Sequence, residues 1–126
     1  AMRFVACFFH LEYSEWQAWS MSDTSRLHTL LQLVQDDPED AFARYALALE
    51  YKKQGLVDRA LDELEEVIRK HPDYTAAYFM AGQYLNEEGR RDEAAVRLRE
   101  GIEAARRGND SHAVTEMQDF LESLDA

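Results

Sequence analysis

The chain has 126 residues with 14 basic and 25 acidic side chains, a formal charge of −11, which fits one domain with a modest core and leaves no room for a second catalytic domain. An apolar fraction of 46% argues against disorder, and the acid excess weighs against nucleic acid or an anionic membrane surface as a partner. A single cysteine, Cys7, excludes an internal disulfide and a Cys-rich zinc site, and two prolines with five glycines are too few for the turns of a β-sandwich.

Residues 1–22 stand apart as an apolar N-terminal extension. They hold Phe4, Val5, Phe8, Phe9, Leu11, Tyr13, Trp16 and Trp19, including both tryptophans of the chain. The run Phe4–Phe9 is short for a secretory signal, and His10, Glu12 and Glu15 follow it. No apolar stretch reaches the ~18 residues of a membrane span, so a cytoplasmic location is expected. Phe8 to Trp19 reads as a helix, whereas Arg3 to Phe9 reads equally as a strand. Each large apolar side chain left in water costs roughly 1.5–3 kcal/mol, so the segment is expected to dock in an aromatic groove of its own chain or of a neighbour. The second case would make a homodimer through residues 4–19. Met21 precedes the first regular helix and also reads as a start, which would make residues 1–20 an added extension.

Six helical stretches follow from apolar spacing. Asp23 to Asp36 carries a stripe of Leu27, Leu30, Leu31 and Val34. Glu39 to Lys53 carries Phe42, Tyr45, Ala46 and Leu49, and Gly55 stops it at a C′ position. Asp58 to Lys70 carries Leu61, Leu64, Val67 and Ile68. Pro72 ends that stretch, and Asp73 is placed to cap the next. Asp73 to Glu88 carries Ala77, Tyr78, Ala81 and Leu85, with Gly89 as the stop. Asp92 to Arg107 carries Ala95, Leu98 and Ile102. After Gly108-Asn109-Asp110 a last helix, 111–124, carries Val114, Met117, Leu121 and Leu124.

These stretches repeat. Pro38 and Pro72, Gly55 and Gly89, Ala60 and Ala94, and Leu64 and Leu98 share one spacing of 34 residues. So do the series Leu27–Leu61–Ala95, Leu30–Leu64–Leu98 and Val34–Ile68–Ile102. Two helical stretches per period mean an all-α helix-turn-helix solenoid. The matching residues are Leu47-Ala48, Tyr51, Gly55, Ala60, Leu64, Val67 and Pro72. In the next unit they are Tyr78, Ala81-Gly82, Leu85, Gly89, Ala94, Leu98 and Gly101. In this the chain resembles the tetratricopeptide repeat (TPR) family. Small residues at 48, 60, 82 and 94 let paired helices approach closely.

The resemblance implies a repeat domain over 23–126, with a half unit at 23–38, full units at 39–72 and 73–107, and a capping helix at 111–124. Val114, Met117 and Leu121 take the places of Tyr78, Ala81 and Leu85 once two residues are inserted near Gly108-Asn109. Two departures stand out. Arg44 occupies a place where the family prefers a large aromatic, and Arg106 one where proline is usual, so a looser last junction is expected.

No catalytic constellation emerges. His10, His28, His71 and His112 are dispersed without metal-ligand spacing, and His71 reads as a surface ring in a turn. There is no Gly-rich phosphate loop, and nothing near Cys7 would act as its base. Acids and bases fall in helix-surface patterns such as Glu65–Arg69 and Glu66–Lys70. No enzyme activity, metal or cofactor is expected. The resemblance instead implies protein binding in a concave groove lined by the first helix of each unit. Its positions map onto Phe42, Tyr45, Leu49 and Lys52, then Ala76, Phe79, Met80, Gln83 and Asn86. They form an apolar, aromatic strip read as exposed, which suits an apolar or aromatic peptide or partner helix. Chaperone-binding relatives grip a carboxylate with a lysine, asparagine and arginine clamp. Tyr45, Leu49 and Met80 stand in those places here, so such a tail is disfavoured. Self-association through the N-terminal segment or the open solenoid end is the alternative.

The charge is uneven. Residues 41–74 carry −1 and residues 75–108 carry zero, whereas 21–40 carry −4 and 109–126 carry −5. The repeats are nearly neutral and the flanks are acidic.

Overall fold

The computed structural model describes residues 25–125. Among the described residues there are six α-helices and no strand. They are α1 (25–36), α2 (Ala41–Lys53), α3 (Val57–Lys70), α4 (Thr75–Glu87), α5 (Arg91–Arg107) and α6 (Ser111–Leu124). The readings of residues 1–22 as helix or strand, and of where they pack, lie outside the described residues. The chain is an all-α helical solenoid in which α2 through α5 each pack on the next helix in sequence.

Local chemistry sets the helix ends. The Asp40 side chain accepts from the Ala43 N–H at 3.2 Å, and Asp110 accepts from Ala113 at 3.1 Å, satisfying first-turn donors of α2 and α6. Asp73 does not cap α4: that helix starts after Tyr74 with no side-chain cap, and the Asp73 carboxylate lies 3.8 Å from the Arg107 guanidinium. Gly55 and Gly89 adopt φ of +82° and +78°. There the N–H of Leu56 returns to the Tyr51 carbonyl, and that of Arg90 to the Leu85 carbonyl, each at 2.9 Å.

The last junction corrects the expected loose turn. Asn109 takes φ +57°, and the Asp110 N–H reaches the Ala105 carbonyl at 2.9 Å. This copies the tight turns after α2 and α4. Without a proline to stop it, α5 runs through Arg106 for 17 residues, against 14 in α3. Between units the chain turns at Pro38 and Pro72, closed by Asp40 N–H to Asp37 (3.2 Å) and Tyr74 N–H to His71 (3.0 Å). His71 is not a plain surface ring. It is half-buried, and its Nε2 is enclosed with no hydrogen-bond partner.

The core lies along the seams between helices, with Leu47, Leu64, Leu98, Met117 and Val67 as its largest fully buried side chains. Ala48, Ala60 and Ala94 are fully buried, and a Cβ on Gly82 would come within 2.8 Å of Leu98 Cγ. The small residues at these positions are what the helix spacing requires. Gly101 is tighter: a Cβ there would stand 2.6 Å from both Met117 Sδ and Tyr78 Cβ.

Arg44 fills its unusual place by a different route from its counterpart. Tyr78 Oη donates to the Pro72 carbonyl at 2.7 Å. Thirty-four residues earlier, Arg44 Nη2 reaches the Pro38 carbonyl at 3.4 Å, while its Nη1 meets Glu63 at 2.8 Å. The ion pairs also differ from the expected i,i+4 spacing. Glu66 pairs with Arg69 one residue closer, at 2.7 Å. Glu65 instead bridges α3 to α5 through two 2.7 Å bonds from Arg97, and Lys70 reaches Glu39 at 3.2 Å.

Candidate functional site

Helices α2, α4 and α6 stand side by side on one face. A Lys52–Glu87 ion pair of 2.9 Å and a Phe79–Phe120 ring contact (centroids 5.8 Å apart, planes at 43°) tie them together. Positions spaced by three and four residues on α2 and α4 point to this face because such positions lie above one another on a helix.

The groove positions fall into three groups. Phe42 and Ala76 are exposed, Phe42 at 69%. Tyr45, Leu49, Phe79 and Met80 are half-buried and packed against the core, which corrects the expectation of a fully exposed strip. The reason is that neighbouring helices interlock here: the Tyr45 ring leans on Tyr74 at 5.4 Å, as Phe79 leans on Phe120. The polar members, Lys52, Gln83 and Asn86, are half-buried along the same side. Lys52 Nζ lies 5.3 Å over the Tyr84 ring besides meeting Glu87, and Gln83 donates to Glu87 at 3.4 Å.

Between the three helices lies a cavity of about 240 Å³, bordered by Tyr45, Ala76, Phe79 and Met80 and closed by α6 through His112, Ala113, Glu116 and Met117. Asp110 also lines it. A larger cavity of about 510 Å³ opens between α3 and α5 over Leu61, Leu85 and Val96. Its cations are already engaged, Arg97 with Glu65 and Arg90 with Glu93, so it offers saturated ion pairs rather than an open apolar seat.

The electrostatics follow the packing. Burial pushes the Tyr84 phenol up to about 12, helped by the nearby Tyr45 and Glu87. Burial also raises Tyr45, with a contribution from Tyr74. The Lys52 hydrogen bond holds the Glu87 carboxyl below the usual carboxylate range, so that ammonium is committed within the chain. Among the described residues no group of three or more His, Cys, Asp or Glu side chains could hold a metal ion. No helix of these residues is long and apolar enough to cross a membrane.

Sequence reasoning missed the contribution of α6. The same insertion that aligns Met117 with Ala81 also aligns His112 with Ala76, Glu116 with Met80 and Asp119 with Gln83. Carrying the groove positions one helix further would have found them.

A family profile described as tetratricopeptide repeat matches residues 20–77. The crystal structure of a tetratricopeptide repeat domain protein from Salinibacter ruber is 35% identical, with a TM-score of 0.64, covering 68% of this chain and 96% of that one. A solution structure of such a domain from the same organism is 38% identical, with a TM-score of 0.67, covering 70% and 89%. The structure of MamA is 25% identical at a TM-score of 0.67, and the match covers 70% of this chain and 52% of MamA. No curated protein matches the chain. Period, turns, seam-filling small residues and these likenesses agree: the chain belongs to the tetratricopeptide repeat family.

Proposed function

We propose that this protein–protein interaction module takes an apolar or aromatic segment of a partner protein along the α2–α4–α6 face, as an adaptor or assembly factor without catalytic activity, in the cytoplasm. The observation that carries this reading is the cavity bordered by Tyr45, Ala76, Phe79 and Met80, with Phe42 standing 69% exposed on the same face. An aromatic ring left that exposed gains free energy when a partner covers it. The places of a carboxylate clamp hold the half-buried Tyr45, Leu49 and Met80, which offer a terminal carboxylate no ammonium or guanidinium.

The test is a pull-down that compares the unaltered chain with Phe42→Ala and with Ala76→Trp, which fills the cavity mouth. Val96→Ala, on the α5 surface, serves as control. Loss of one shared partner with both groove variants and its retention with the control is expected. Equal capture by all four chains would exclude the groove.

A second reading, self-association through the open end at α1, is favoured by Leu33, which is 48% exposed beside the half-buried Leu30 and Val34. Mass measurement over a concentration range separates the two. A dimer that Leu33→Ser dissociates would support this reading, and a monomer throughout would remove it.

A further inference from the structure

The groove is chemically lopsided. Its α2 end is apolar apart from Lys52, which Glu87 neutralises at 2.9 Å, and Lys53. Its α6 end is rich in acid: besides His112, residues 109–126 contain Asp110, Glu116, Asp119, Glu122 and Asp125 and no lysine or arginine. Two of these, Asp110 and Glu116, border the apolar cavity itself. Asp119 lies one turn beyond Glu116 on α6, at the place that Gln83 holds on α4, and is exposed.

The nearby basic side chains are spoken for. Arg106, at the end of α5, is bound to Glu103, Arg107 lies 3.8 Å from Asp73, and His112 lies 3.0 Å from Glu116. A ligand side chain in the cavity would therefore sit on Phe79 and Met80, with carboxylates along one border and no lysine or arginine among its lining residues.

We propose that the α4–α6 end of the groove selects a partner segment in which one large apolar anchor residue is flanked by arginine or lysine. This rests on the groove reading and adds its specificity. The anchor fills the cavity between Tyr45, Phe79 and Met80. The neighbouring cation meets Glu116 and Asp119, exposed carboxylates whose attraction acts within the Debye length of about 8–10 Å and weakens as salt shortens it. Charge complementarity of this kind speeds encounter and rejects acidic segments. It also argues against residues 4–19 of the chain's own extension as the occupant of this end, because they carry Glu12 and Glu15 and, beside His10, no lysine or arginine.

The experiment pans a random twelve-residue peptide library displayed on phage against the full chain. Recovered peptides are then titrated by fluorescence anisotropy against the chain and against Phe79→Ala, Glu116→Lys and Asp119→Lys. The two lysine variants change exposed side chains, and circular dichroism confirms that they fold. Expected are peptides with an apolar anchor next to Arg or Lys. Phe79→Ala should weaken their binding, and each charge reversal should weaken it about three- to tenfold, an effect that shrinks in high salt. Peptides that Phe79→Ala weakens but that lack basic enrichment and ignore both charge reversals would overturn the selectivity while sparing the groove. So would a synthetic peptide of residues 4–19 binding as tightly as the recovered ones. Peptides indifferent to Phe79→Ala would overturn the groove reading as well.

Discussion

The two full repeats meet the same geometric demands with different side chains. At the seam on the far side of α3, Val67 and Ala81 are both buried. One period on, the corresponding pair is Gly101 and Met117, also buried. Bulk has moved from one helix to the next: the second seam gives up the valine and gains the methionine. At the start of the units, Arg44 and Tyr78 both reach a proline carbonyl, one as a guanidinium paired with Glu63 and the other as a phenol. A repeat thus constrains distances and total volume rather than residue identity, and close packing enforces that constraint.

Moving the bulk back should do the most damage. Gly101→Val places branched carbons where even a Cβ lies 2.6 Å from Met117 and Tyr78. A loss of about 1–3 kcal/mol or more is expected in urea unfolding. Adding Met117→Ala should return part of that loss, with a coupling of about 0.5–3 kcal/mol between the two sites. If the double variant is no more stable than the two single losses added, the volume exchange is not real.

Arg44→Ala removes both contacts and strands the half-buried Glu63, so a loss of about 1–3 kcal/mol is expected. Arg44→Tyr, which imitates the second unit, should lose less because the phenol can reach Pro38. Tyr78→Phe removes one neutral hydrogen bond and should cost about 0.5–1.5 kcal/mol in the same assay.

Alkali probes the other side of the comparison. Tyr84 is pushed up from 10.0 to about 12 by burial, and Tyr45, Tyr74 and Tyr78 are raised for the same reason. The folded chain therefore holds phenol protons that the unfolded chain releases near pH 10. Stability from this source is whole below about pH 10 and falls as pH rises toward 12. Thermal melting at pH 9 and at pH 11.5 should show the drop, and Tyr84→Phe should make it smaller. Unfolding equally steep in both proteins would assign the alkaline loss elsewhere. The smallest effect is expected for Phe42→Ala, whose exposed ring should leave the melting temperature nearly unchanged.

Much of the fold was legible because repetition supplies its own control. Glycine at 55 and 89, proline at 38 and 72 and small residues at 48, 60, 82 and 94 mark the same points in successive units, and each meets a stated geometric need. Asn109 was less legible, since asparagine reaches the left-handed conformation without announcing it as glycine does. The ion pairs were misread because Glu65 and Arg97 meet across helices, 32 residues apart in sequence, where helical spacing carries no information. The groove was half legible. Its α2 and α4 residues follow from the period, but how deeply Tyr45 and Phe79 sit depends on rings from elsewhere in the chain, Tyr74 in the turn before α4 and Phe120 on α6. The share of α6 was missed because that helix reads as a cap, although the two-residue insertion at its start already aligns it with α4.

The binding face is tested most directly by recording amide ¹H–¹⁵N spectra of the labelled full chain while adding a peptide recovered from the random library. Shifts should gather at Phe42, Ala76, Met80 and Glu116, along α2, α4 and α6. Shifts gathered at Asp62, Val96 and Arg97, beside the cavity between α3 and α5, would contradict the groove and move the binding site to the other face.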